Sequence, residues 1–93
     1  MIWEDKGYTL QRARELLLVL DSYPLVENHL YCFLMEVGTL RSRLQRYGDD
    51  PKIERYRRQI KTALKRINED KTVISQNRHL AGQLEVRLKQ KLL

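Results

Sequence analysis

The stretch PLVENHLYCFLMEVGTLRSRLQRYGDDP, residues 24–51, decides the fold, because it carries a long apolar seam and ends in a turn signal. Apolar side chains recur in it at alternating steps of four and three residues, which is the spacing of one face of an α-helix. They are Val26, Leu30, Phe33, Val37, Leu40, Leu44 and Tyr47. Pro24 suits the first turn of a helix, since its missing N–H would be unpaired there anyway. We therefore predict a helix over about residues 24–47.

The segment YGDDP, residues 47–51, combines a helix stop with a helix start. Gly48 can adopt the left-handed conformation that ends a helix, Asp50 can cap the next helix, and Pro51 fits its first position. We predict a turn over residues 48–51.

A second apolar ladder, with a step of seven residues, follows this turn. Its members are Ile53, Ile60, Ile67, Ile74, Ala81 and Leu88. The positions three residues further on are apolar at first and are then interrupted by Asp70 and Asn77. We predict one continuous helix over about residues 51–91. Its weak points are the β-branched segment TVIS, residues 72–75, and Gly82, because both lower helix propensity.

The two ladders match when they are folded about the turn as antiparallel partners. Leu40 then faces Tyr56, and the same register continues upstream to place Leu16 opposite Ala81. This predicts a helix over about residues 9–21 that runs along the last helix, with a break at residues 22–24. Folding that helix back as a third one is the alternative. The predicted fold is a single all-α domain over residues 1–93: a long antiparallel helical hairpin of the coiled-coil type with a kinked or separate N-terminal helix.

Several apolar residues lie off the single seam that a hairpin can bury. They are Leu17, Leu18, Leu25, Tyr31, Leu34 and Met35. Apolar residues on more than one side of a helix require a further helix layer. A chain of 93 residues also buries only a modest fraction of its surface on folding, so leaving these apolar side chains exposed to solvent would cost it stability. We therefore predict a homodimer that forms a helical bundle, with these residues at the partner interface.

The charge of the chain is concentrated around the turn. The net charge is +6, but residues 41–66 carry ten Lys or Arg against three Asp or Glu, a net +7, whereas residues 1–40 carry a net −3. From Arg41 onward only seam positions are apolar, so we expect the turn end to protrude into water. The candidate anion-binding residues there are Arg41, Arg43, Arg46, Lys52, Arg55, Arg57, Arg58 and Lys61.

Such a cluster attracts polyanions, and nucleic acid is the partner that this charge favours first. An acidic protein would feel the same field, and a solvated helix face needs no ligand at all. We expect a small helical accessory or regulatory protein that self-associates and binds nucleic acid, DNA or RNA, through the basic turn end. The alternative is an interaction module, such as a small chaperone or adaptor, that binds a helix of a partner protein through its apolar faces.

Signals for catalysis are weak. His29, Cys32 and Glu36 share one side of a helix and could offer metal ligands or a thiol beside an imidazole, but no second cluster supports them. The sequence has no glycine-rich phosphate loop and no nucleophile elbow. We expect no enzyme activity, no cofactor, no metal and no small-molecule substrate.

The cysteine count and the apolar runs bear on the compartment. Cys32 is the only cysteine, so no intrachain disulfide can form, and we expect an intracellular, cytoplasmic protein. The apolar runs LLLVL, residues 16–20, and LYCFLM, residues 30–35, are too short to cross a bilayer. We therefore expect no integral membrane association.

Overall fold

The computed structural model describes residues 6–22, 27–47 and 50–89, and within these ranges every regular element is helical. The elements are α1 (Lys6–Asp21), α2 (Glu27–Leu44), a 3-10 turn (Gln45–Tyr47), α3 (Pro51–Glu69) and α4 (Ser75–Lys89). The all-α prediction is confirmed. The predicted break at residues 22–24 is described only at Ser22, because residues 23 and 24 lie outside the described ranges.

The start of α3 follows directly from the local sequence. Asp50 is the N-cap, and its carboxylate accepts a hydrogen bond from the backbone N–H of Lys52 at 2.8 Å. Pro51 occupies the first helical position, where its lack of an N–H costs nothing. Both roles were predicted from the sequence and are confirmed. Gly48, which was expected to end the preceding helix, lies outside the described residues.

The prediction of one continuous helix over residues 51–91 is wrong, because α3 ends at Glu69 and α4 begins at Ser75. The carboxylate of Asp70 accepts hydrogen bonds from the backbone N–H and the hydroxyl of Thr72, at 2.9 and 2.7 Å. Local bonds of this kind compete with the helical ladder. The β-branched residues that follow lower helix propensity further, so the chain reverses over residues 70–74.

The reversal also changes which residues are buried. Ile74 belongs to the seven-residue ladder, yet its side chain is 54% exposed. Val73, only 2% exposed, takes its place in the core. A turn changes the angular phase of the chain, so a ladder drawn through it cannot stay on one face.

The helices form two hairpins, α1–α2 and α3–α4, that lie side by side and point the same way. Lys6 is paired with Asp50 near the start of α1 and α3, and Asp21 is paired with Arg66 near their ends, so these two helices are parallel. Helices α2 and α4 are also parallel, because Gly38 lies against Leu84 and Arg41 contacts the carbonyl of Arg87, each 46 residues further along.

Each helix packs closely against two others: α1 against α2 and α3, and α4 against α2 and α3. Helices α2 and α3 therefore face each other across the core. The hairpin prediction, which made them directly adjacent partners, is wrong on this point. The physical reason is the turn at residues 70–74, which lets α4 fold back beside α2. Helix α1 does not continue α2 in a line along the last helix. It folds back, as in the alternative reading of the sequence.

The core runs along the axis of the bundle, whose extents are 35 × 23 × 18 Å. Its buried apolar members are Ala13, Leu16, Leu20, Leu30, Leu34, Val37, Leu40, Leu44, Ile53, Ile60, Ala63, Leu64, Ile67, Val73, Ala81, Leu84 and Leu88. Phe33, Tyr47 and Tyr56 pack half-buried against them. Most positions of both sequence ladders are thus buried even though the helices that carry them are differently paired. Val26 lies outside the described residues.

A polar link joins α1 to α2. The guanidinium of Arg12 donates to both carboxylate oxygens of Glu36, one at 2.6 Å, and to Glu15 at 2.7 Å. These bonds, first those to Glu36, raise the pKa of Arg12, while the bond from Arg12 lowers the pKa of Glu15.

Across the described ranges, no helix has both the length and the apolar composition needed to cross a membrane.

Candidate nucleic-acid interface

Four helix termini meet at one end of the bundle, which we call the basic end: the starts of α1 and α3 and the ends of α2 and α4. Lys6 is ion-paired with Asp50 there, and this bond lowers the pKa of the Asp50 carboxyl. The Nε of Arg41 donates to the carbonyl of Arg87 at 3.3 Å. The sequence suggested that the turn end protrudes alone into water. In the structure it does not, because the start of α1 and the end of α4 lie beside it.

Three of the eight predicted basic residues line grooves, and these grooves lie on two faces of the molecule. Arg43 and Arg46 line a groove between α2 and α4, together with Arg87. Arg58 lines a separate groove between α1 and α3. Because each of these helix pairs forms one side of the four-helix arrangement, the two grooves lie on opposite sides of the bundle. Arg58 therefore does not share a groove with Arg43 and Arg46.

The α2–α4 groove has a volume of about 490 Å³. It is lined by Leu34, Met35, Gly38, Thr39, Ser42, Arg43, Arg46, Leu80, Leu84 and Arg87. The two helices approach closely at Gly38, where an added Cβ would lie 3.4 Å from Cδ2 of Leu84. The floor is apolar, and two hydroxyl residues lie on the α2 side. The three arginines come from α2, from the 3-10 turn that follows it and from α4. Among the described residues that line the groove, none is acidic.

Such a groove can hold an anion that also has a flat or apolar part. Guanidinium groups bind phosphate and carboxylate through paired N–H donors. Hydroxyl groups such as those of Thr39 and Ser42 also bond to phosphate oxygens in protein–DNA complexes. Arg41, which does not line this groove, has a structural role. Its side chain donates to the carbonyl of Arg87, in the last turns of α4, where carbonyls lack helical partners.

The basic residues of α3 have local partners. The guanidinium carbon of Arg55 lies 5.5 Å from the centre of the Tyr56 ring, a cation–π distance. Glu54 lies 3.8 Å from Arg57 and 3.7 Å from Arg58, and it offsets part of their charge. Lys52 is exposed and Lys61 is half-buried, and neither lines one of the two grooves.

The α1–α3 groove is smaller, at about 330 Å³, and its charges are balanced. Asp21 and Arg66 both line it and are paired at 2.9 Å. The remaining lining residues are Leu17, Arg58, Gln59, Thr62 and Ala63. An anion would have to compete with Asp21 for Arg66, so this groove is the weaker anion site.

The six residues predicted to form a partner interface fall into three groups. Leu34 is fully buried, so it belongs to the core and is not available to a partner; Leu17 is half-buried against the same core. Leu18, Tyr31 and Met35 are 62%, 43% and 51% exposed. Leu25 lies outside the described residues.

The His29, Cys32 and Glu36 group does not come together as a site. Glu36 is bonded to Arg12, whereas His29 and Cys32 are exposed. Within the described part of the chain, no three His, Cys, Asp or Glu residues are grouped so that they could hold a metal ion.

Sequence reasoning missed Arg87, Thr39 and Ser42 as members of the groove. With residues 51–91 taken as one helix, Arg87 is placed opposite residue 10, away from Arg41. The signal that could have corrected this is the pair Asp70 and Thr72, whose side chains form a local turn ahead of two β-branched residues.

No model of a known protein family matches this sequence, and no curated protein or solved structure is significantly similar to it. The functional conclusion therefore rests on the geometry of the chain itself.

Proposed function

We propose that this protein is a non-catalytic nucleic-acid-binding protein whose basic end contacts the phosphate backbone. The observation that carries the proposal is the α2–α4 groove, in which three arginines and two hydroxyl residues line one cleft with no acidic residue among its described lining. Positive groups gathered in this way release the counterions of a polyanion when it binds, which favours binding at low salt.

The positive charges of this site come from separate elements of the chain, which distinguishes it from one solvated helix face. In the groove, Arg87 comes from α4 and joins Arg43 and Arg46 only through the tertiary fold. Bringing three like charges together costs electrostatic free energy, and an anionic ligand would remove that cost.

Three triple variants that each remove three positive charges test the proposal. The first replaces Arg43, Arg46 and Arg87 by Gln, the second replaces Arg55, Arg57 and Arg58, and the third replaces the exposed residues Arg14, Lys65 and Lys71. Each lowers the net charge from +6 to +3. Fluorescence anisotropy of labelled oligonucleotides, titrated at several salt concentrations, gives affinity and salt slope, and circular dichroism checks the fold.

We expect wild-type affinity to fall steeply with salt. The groove variant should flatten the log–log salt slope by about 2 to 3, since each lost phosphate contact contributes ~0.7 to ~0.9. The Arg14, Lys65 and Lys71 variant should change it little. Equal losses in all three variants would attribute binding to net charge alone, and a loss confined to the α3 variant would move the site to α3. No binding at low salt would refute the proposed function.

A second candidate is an interaction module, and exposed apolar residues on α2 favour it. Tyr31 and Met35 lie one helical turn apart on α2 and are both about half exposed. A second copy of the chain or a helix of a partner protein could cover them. The mass in solution tests the homodimer: a dimer that dissociates when both residues are replaced by Gln supports it, and a wild-type monomer at high concentration refutes it.

A further inference from the structure

The α2–α4 groove contains more than a phosphate site needs. Below its arginines lies an apolar floor whose accessible side chains are the half-exposed Met35 and the partly buried Leu80. Leu34 and Leu84 lie beneath them in the core, around the close approach at Gly38. Phosphate contacts alone call only for charge and hydrogen-bond donors at a surface. An apolar recess beneath the charged groups fits a ligand that has both an anionic backbone and flat apolar faces.

From this combination we propose that the groove binds single-stranded nucleic acid, with an unstacked base on its apolar floor and the flanking phosphates on Arg43, Arg46 and Arg87. The inference rests on the proposed function and specifies its ligand. Every base has a π-face that packs on apolar side chains or arginine planes, so such binding does not depend on one sequence. Thr39 and Ser42 lie where hydroxyls can bond to a base edge or to the sugar–phosphate backbone.

The shape of the site favours a single strand over a duplex. Proteins that read duplex DNA in the major groove insert a protruding helix or ribbon into it. Here the site is recessed between two parallel helices that touch at Gly38 and Leu84. The bases of a duplex are stacked inside it and cannot enter such a recess, so a duplex would contact only the arginines at its rim.

Two matched double variants separate base binding from charge. In the groove variant, Thr39 and Ser42, both exposed, are replaced by Leu; this fills the recess and removes both hydroxyls without changing the charge. In the control variant, Gln59 and Thr62, both exposed in the opposite α1–α3 groove, are replaced by Leu. Both are titrated against a single strand of about 12 nucleotides, within the ~4–16-nucleotide site sizes of single-strand binders, and against a duplex of equal length.

We expect wild-type protein to bind the single strand more tightly than the duplex. The groove variant should lose about tenfold in single-strand affinity, within the range of one lost base-stacking contact, and its duplex affinity should fall by clearly less, because there only hydroxyl bonds to phosphate are lost. Its salt slope should stay nearly unchanged for both ligands, since no charge is removed. The control variant should stay within about twofold of wild type for both ligands.

Each contrary result has a distinct meaning. Equal or tighter binding of the duplex, or a groove variant that binds the single strand like wild type, would overturn this inference while leaving nucleic-acid binding intact. Binding of neither ligand at low salt would overturn the proposed function too. An acidic amphipathic helical peptide provides a competitor. If it displaces the bound single strand from wild-type protein and binds the groove variant less tightly, the groove would instead be assigned to a protein partner.

Discussion

Leu34 and Met35 are neighbours in the chain, yet they have opposite environments. Leu34 is fully buried in the core, whereas Met35 is half exposed at the edge of the α2–α4 groove. On a helix, consecutive residues point about 100° apart, so one position can face the bundle axis while the next faces solvent. Both residues lie off the predicted seam, and composition alone does not distinguish them.

At this scale we predict that Leu34→Ala lowers the free energy of unfolding by about 2 to 5 kcal/mol, because it leaves a cavity in a packed core. Met35→Ala should change it by less than about 1 kcal/mol, since half of the side chain is already in water. Urea denaturation followed by circular dichroism measures both. Similar losses for the two variants would mean that Met35 is covered, as it would be in a dimer.

At the scale of elements, the turn between α3 and α4 has the largest effect on the fold. Asp70 holds it with two side-chain hydrogen bonds to Thr72. The turn reverses the chain, brings α4 alongside α2 and places Arg87 beside Arg43 and Arg46. The local hydrogen bonds between Asp70 and Thr72 therefore help to determine which arginines share a groove.

We predict that Asp70→Ala destabilises the protein by about 1 kcal/mol, the usual effect of removing a side chain that satisfies backbone donors at a helix end. Asp70→Asn retains an oxygen acceptor and should cost less than half as much. Thermal denaturation of the three proteins at neutral pH provides the comparison. An Asp70→Ala protein with unchanged stability would show that residues 70–74 turn without this carboxylate.

At the scale of the whole molecule, the distinctive feature is the parallel arrangement of two helical hairpins. Helices α2 and α4 run in the same direction with a constant offset of 46 residues at Gly38 with Leu84 and at Arg41 with Arg87. Parallel neighbours arise because the chain passes from the end of α2 to the start of α3 on the opposite corner of the bundle.

A pair of cysteines tests this arrangement. In a Cys32→Ser background, which removes the exposed natural thiol, Gly38→Cys with Leu84→Cys should form a disulfide, because the two side chains meet where the helices approach. Gly38→Cys with Asn77→Cys is the control, since it moves one thiol about 10 Å along α4. Mobility on non-reducing gels reports the bond. Oxidation of the control pair but not of the first would exclude the parallel register.

The sequence by itself determined the helical class, most of the buried residues and the start of α3. These follow from local rules: periodicity decides which side chains can share a dry face, and Asp50 and Pro51 satisfy a helix start without help from other elements. It also determined that an excess of positive charge lies near the middle of the chain. Each of these properties depends only on residues close together in sequence.

Only the tertiary structure decided which helices are neighbours and which arginines are grouped. The apolar seams of α2 and α3 are equally compatible with direct pairing and with facing each other across a four-helix core. The hydrophobic effect is non-directional, so an apolar face can be buried against any other apolar face. The turn at residues 70–74 settles this choice, because it adds α4 to the core beside α2. Arg58 lies in a different groove from Arg43 and Arg46, and Arg87 joins those two only in the folded chain.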